Sequence, residues 1–169
     1  MKSVEIKRLL GTFKLHRKLT RDLLVSLNPE LLSLKPFSIS GSFGQQFRHI
    51  LDIEMCYVES ITKGSLDFRR PHIDHTMEGD KDRLIRTMDA VDTELENSLE
   101  KMDDSKAKEK YIDCGKAVKY LGDAYREASP VQILSLLTEH EIFHDGEMAL
   151  YVRTVNIRFP DNWMMWGLR

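Results

Sequence analysis

Apolar residues recur at three- and four-residue intervals along four stretches of this chain, with no convincing two-residue alternation between them. In the first stretch Ile6, Leu9, Leu10, Phe13, Thr20, Leu24 and Leu27 fall on one face of a helix that Ser3 can cap and Asn28-Pro29 stops. His16 lies at the flank of that stripe, where a boundary or solvated imidazole is expected. Ser42 and Gln45 form a capping box that opens a second helix, and Gly64 suits its end. This helix is apolar on more than one side, at Phe47, Ile50, Leu51, Ile53, Tyr57, Val58 and Ile61, which predicts several packing neighbours. Asp80 starts a third helix, where Leu84, Met88, Val91, Leu95, Leu99 and Met102 repeat at helical spacing and the other faces are charged. The fourth opens with Ser129 as N-cap, Pro130 in the first helical position and Gln132 completing a capping box, and is predicted to run to about Arg158. At about 100° per residue, Ile133, Leu136, Leu137, Phe143, Met148 and Tyr151 share one of its faces, with His140 and His144 in the middle.

The connections are less decided. Residues 29–40 read as a linker with two prolines, and residues 65–79 as a loop containing Pro71, His72 and His75. Within residues 103–128, Lys106 to Lys110 is a charge run, and the segment around Gly122 permits either a short helix or a hairpin. Phe159-Pro160 breaks the fourth helix, and the apolar tail from Trp163 to Leu168 is expected to fold back and close one end, with a subunit or pocket contact as the alternative. The predicted fold is all-α: a four-helix bundle with long connections and a short irregular segment before the last long helix, in one domain over residues 1–169.

Composition supports an ordinary globular chain, long enough at 169 residues for a sizeable core, with 41% hydrophobic and 31% charged residues. The formal net charge is −2, with 25 Lys and Arg scattered among 27 acids, which argues against nucleic acid or an anionic membrane as partner. No apolar stretch approaches the ~20 residues of a membrane span, and Met1 to Leu10 carries charges where a secretory signal would be apolar, so a cytoplasmic protein is expected. Cys56 and Cys114 lack both a disulfide framework and zinc-ribbon spacing and are expected as reduced thiols.

The chemistry concentrates in the fourth helix. His140 and His144, four residues apart on one face, offer two nitrogens to one metal ion, the alternative being two separately satisfied core histidines. His72 and His75 also have a usable spacing, but beside Arg69, Arg70 and Asp74 they are expected to be solvated. His49 lies toward one flank of the second helix, over Ile53 and Cys56, a position that suits the edge of a cleft and a partly exposed imidazole equally.

Two segments then carry a resemblance. Gln45-Gln46-Phe47-Arg48-His49-Ile50-Leu51-Asp52 and, much later, Leu136-Leu137-Thr138-Glu139-His140-Glu141-Ile142-Phe143-His144-Asp145-Gly146-Glu147 are similar to the histidine segments of the DinB/YfiT-like four-helix-bundle metalloproteins. The closing Ile157-Arg158-Phe159-Pro160-Asp161-Asn162-Trp163 is similar to tails of that family. The resemblance implies that His49, His140 and His144 ligate one divalent metal, commonly Zn²⁺ or Ni²⁺, in a homodimer. It also implies a thiol-dependent transferase or isomerase, with a low-molecular-weight thiol and a small-molecule substrate as partners. Where the family often has Gln three residues after the last His, this chain has Glu147.

The same residues also fit H-E-x-x-H, in which Glu141 would be the general base of a metalloprotease. A third ligand of the zincin type is missing, since position 150 is Leu and only Asp161 follows as a candidate, so a protease is disfavoured. Three neutral imidazoles around a divalent ion leave a position at which a thiol or water loses its proton near neutral pH. Thiol transfer is the favoured reading. The alternatives are hydrolysis with Glu141 or Glu147 as proton acceptor, and a binding protein whose metal only holds the bundle. Glu147 lies one turn beyond His140 and on its side of the helix. It is expected to steady an imidazole or accept a proton, while Glu141 and Asp145 point away from the ligand face.

Overall fold

The computed structural model describes residues 3–69, 74–100 and 102–168. Four long helices dominate: α1 (Val4–Ser26), α2 (Phe43–Lys63), α3 (Lys81–Glu100) and, after two further short helices, α6 (Pro130–Thr154). The caps act where the sequence puts them. Ser3 accepts the amide of Ile6, and both Ser42 and Ser129 form two-way capping boxes with Gln45 and Gln132. Gly64 ends α2 at φ 72°, a left-handed conformation that costs glycine nothing. α6 stops at Thr154, short of Arg158, because Asn156 turns the backbone to φ 55° and Val155 to Ile157 leave the helix.

The segment between α3 and α6 contains both of the predicted alternatives. α4 (Asp104–Lys108) is followed by a two-residue strand β1 (Ile112–Asp113), which pairs antiparallel with β2 (Glu127–Ala128). Between those strands lies the single-turn α5 (Val118–Leu121). After α6, the short helix α7 (Asp161–Met164) folds the tail back. Trp163 is fully buried and its indole Nε1 donates to the Leu19 carbonyl at 2.8 Å, closing one end of the bundle as expected. Among the described residues no helix is long and apolar enough to cross a membrane.

The buried stripes read from periodicity pack together, each fully buried Leu, Ile or Phe contributing about 1.5–3 kcal/mol. Yet the core is not continuous. One apolar half gathers Phe13, Tyr57, Ile61, Leu95, Ile133 and Leu137; the other gathers Leu19, Phe47, Leu51, Met88, Met148 and Trp163. On every long helix the residues between those halves are polar: His16, Arg17 and Thr20 on α1, Glu54 on α2, Asp92 on α3, Glu141 and Asp145 on α6. The entry to α2 is held by a close approach, since a Cβ on Gly44 would stand 1.9 Å from the Glu78 carbonyl oxygen. That contact fixes the start of the helix that carries His49.

Candidate metal centre

One turn beyond the Gly44 contact, α2 presents His49, and α6 presents His140 and His144 toward it. One ring nitrogen from each of the three lies within 4.8 Å of the others. The His140 and His144 Nε2 atoms are 3.1 Å apart, close to the ~3.3 Å separating two nitrogens that each bind one zinc ion at 2.0–2.1 Å with a tetrahedral angle. Burial, followed by the neighbouring imidazoles, lowers the pKa of His140 to about 3 and also lowers that of His49. Both rings are therefore neutral near pH 7, the form that ligates metal.

Glu147 decides the tautomer of the third ring. Its Oε2 accepts from His144 Nδ1 at 2.6 Å and from Gln46 Nε2 at 3.0 Å. With the proton on Nδ1, the Nε2 lone pair of His144 is left facing His140. This is the arrangement by which a carboxylate orients a metal-ligating histidine, and the donor set is compatible with a divalent metal. His140 Nδ1 is buried without a partner.

Glu141 stands differently from what the H-E-x-x-H pattern requires. It is fully buried and faces α1, where the Thr20 hydroxyl donates to its Oε1 and Arg17 Nη1 lies 3.5 Å away. It does not line the cavity on which the imidazoles open, so a base role at that cavity is corrected. Asp145 likewise turns from the imidazoles into the core, where its Oδ2 meets His16 Nδ1 at 2.8 Å. His16 is thus a partly buried partner and not a solvated residue. Phe143, predicted for the buried face, is 64% exposed and lines the cavity instead. His75 is exposed and bonded to Glu78, while its loop partner His72 lies outside the described residues. Cys56 and Cys114 are both free and buried. Burial pushes their pKa values up to about 12 and about 11, so neither serves as a thiolate.

The polar layer escaped sequence reading. Arg17 pairs with Glu54 through Nη2, with Asp92 Oδ1 at 3.1 Å through Nε, and with Glu141. Burial opposes its charge, but Glu141, Glu54 and Asp92 together hold the guanidinium pKa above its ordinary value. Against the burial that would raise it, Arg17 and hydrogen bonds from Glu54 and Thr20 hold Glu141 below the ordinary carboxylate value. Glu54 is raised well above it by burial. Burial and Glu141 push Asp145 up to about 8, and burial lowers His16. The Thr20 hydroxyl is also within reach of Asp145 Oδ1 at 3.1 Å, and Asp145 Oδ2 lies 2.8 Å from His16 Nδ1. The available signal was positional: Arg17, Glu54 and Asp92 each interrupt an apolar stripe four residues after Phe13, Ile50 and Met88.

The fold is similar to the crystal structure, at 2.30 Å resolution, of a DinB-like protein, YjoA, from Bacillus subtilis. The two share a TM-score of 0.67 and 21% identity, covering 89% of this chain and 94% of that one. No curated protein matches the chain. A model of the DinB superfamily matches residues 12–148, a span that takes in most of α1, all of α2 and α3, and α6 through both of its histidines. By that match the chain belongs to the DinB superfamily.

Proposed function

We propose that His49, His140 and His144 hold one divalent ion, Zn²⁺ or Ni²⁺, and that the protein is a metal-dependent transferase acting on a low-molecular-weight thiol. The observation that carries this reading is the Glu147–His144 hydrogen bond at 2.6 Å, which orients His144 beside the other two imidazoles, with one ring nitrogen of each in one small volume. When bound, such an ion supplies Lewis acidity that favours the thiolate of a thiol placed against it. The chain's own contribution is orientation. Glu147 and Gln46 fix the ring of His144, the Gly44 contact sets α2 and hence His49, and the cavity beside the imidazoles holds the second reactant.

The transfer reading is preferred to hydrolysis because Glu141 is committed to Arg17 and Thr20, which leaves the H-E-x-x-H pattern without its base. Glu147 is occupied on Oε2 by His144 and Gln46. The test is elemental analysis of the purified protein followed by an electrophile-conjugation assay across several thiols. About one metal per chain with thiol-dependent conjugation supports the reading. A metal that is present without turnover on any thiol leaves a metal-stabilised binding protein, and no metal at all removes the reading.

A further inference from the structure

The imidazoles open on a cavity of about 430 Å³ whose remaining walls are Ile53, Tyr57, Phe68, Tyr120, Leu121 and Phe143. Four of these six are aromatic, and they are arranged as a series. Tyr120 meets Phe68 edge-on with centroids 5.8 Å apart, Phe68 meets Tyr57 at 5.2 Å, and Tyr57 meets His140 at 6.3 Å. On the other side Phe143 meets His144 at 5.3 Å. Rings held edge-to-face around an open volume present faces and edges to a further ring placed between them.

Among the described residues, no Asp, Glu, Lys or Arg lines this volume. The cations adjacent in sequence to lining residues are already engaged. Arg48 is bound to Glu78 Oε1 at 2.8 Å, Arg69 to Asp67 Oδ1 at 3.0 Å, and Lys119 lies over the Tyr120 ring, 4.5 Å from its centroid. In the metal-free protein an anionic ligand would give up its hydration here without a charge partner. Beside the imidazoles, the neutral polar groups on this wall are the Tyr57 and Tyr120 hydroxyls, neither with a hydrogen-bond partner among the described residues. Tyr120 is 60% exposed and comes with Leu121 from α5, the single turn between β1 and β2, so the irregular segment adds part of the wall to what α2 and α6 provide.

We infer that this cavity binds a neutral small molecule through an aromatic ring, with Phe68 and Tyr120 as its specificity-determining residues. The assignment of that molecule as the electrophilic substrate rests on the transferase reading; the binding itself does not.

The experiment uses N-phenylnaphthylamine, a neutral fluorescent probe, and anilinonaphthalenesulfonate, which adds an anionic group to the same ring framework. Both are titrated into the metal-loaded and the metal-stripped protein. In the metal-stripped protein the neutral probe should bind once per chain, with the sulfonate at least about tenfold weaker. Tyr120→Ala and Phe68→Ala should each weaken the neutral probe by about fivefold or more, whereas Leu150→Ala, outside this cavity, should not. Because Tyr120 is largely exposed, its substitution leaves the core intact, and Tyr120→Arg should shift the preference toward the sulfonate. Equal or tighter binding of the sulfonate to the metal-stripped, unsubstituted protein, or unchanged affinity in both alanine variants, would overturn the inference. If the metal is absent and the probe pattern holds, only the transferase reading fails; if the metal is present and the pattern fails, only this inference does.

Discussion

Two polar clusters sit on α6 one residue apart. His140 and His144 face α2 and an open cavity; Glu141 and Asp145, each the next residue, face α1 and the closed middle of the bundle. Both require polar groups to be taken out of water, and they are satisfied in opposite ways. The buried cluster supplies its own cation, with Arg17 set among acids from three other helices, although Arg17 Nη1 and Nη2, both Glu54 carboxyl oxygens and Glu141 Oε2 lack a well-aligned hydrogen bond. The histidine cluster gathers three imidazoles and, among the described residues, lacks the cation that the other contains. The first arrangement holds helices together, and the second is suited to hold something that is not protein.

The strongest way to break this contrast is through Arg17. Arg17→Met would leave Glu54, Asp92 and Glu141 buried without their cation and should destabilise the protein by about 3–5 kcal/mol, read from the urea midpoint. A change near zero would mean that the acids simply take up protons and that the layer is not held by its charge. His140→Ala should give the reverse profile. Loss of one of three ligands should lower metal affinity by more than about 100-fold, while the metal-free protein loses no more than about 2 kcal/mol. His75→Ala, in the exposed loop, should leave metal affinity unchanged, and competition with a chromogenic chelator measures all three proteins.

A smaller effect is expected at Glu147. Glu147→Gln keeps the volume and an acceptor oxygen but removes the charge, so saturating metal content should stay at one per chain while affinity falls about tenfold and conjugation slows. If the metal site empties altogether, Glu147 is a ligand and the site is closed. The smallest effect is one of slope. His140 is neutral in the folded protein down to about pH 3 but titrates near 6.5 when unfolded. Between those values the unfolded chain binds more protons, so the stability of the metal-free protein falls as pH falls through that window. Glu54 and Asp92 have raised pKa values, so the stability they contribute is complete below their unfolded values near pH 4 and is lost as pH rises. His140→Ala should therefore make the acid-side decline shallower, as measured by denaturation between pH 4 and 7. An unchanged slope would show that burial does not hold His140 neutral.

The four helices, both capping boxes, the Gly64 stop and the folding back of the Trp163 tail could all be read from the chain, because each depends on residues close in sequence and on one periodicity. So could the pairing of His140 with His144, a property of one helix turn. The meeting of His49 with them was legible only through the family resemblance and not through periodicity, since it depends on how α2 is rotated against α6 and on the Gly44 contact that seats it. Periodicity also left open whether residues 103–128 form a helix or a hairpin, because a short strand pair enclosing one helical turn has no repeat long enough to register. Arg17, Glu54, Glu141 and Asp145 each look solvent-bound by residue type, and their burial follows only when four helices bring the charges into one layer. Phe143 shows the same limit from the apolar side: its place on the helical wheel is local, but whether a neighbour covers it is decided by the packing of the whole bundle.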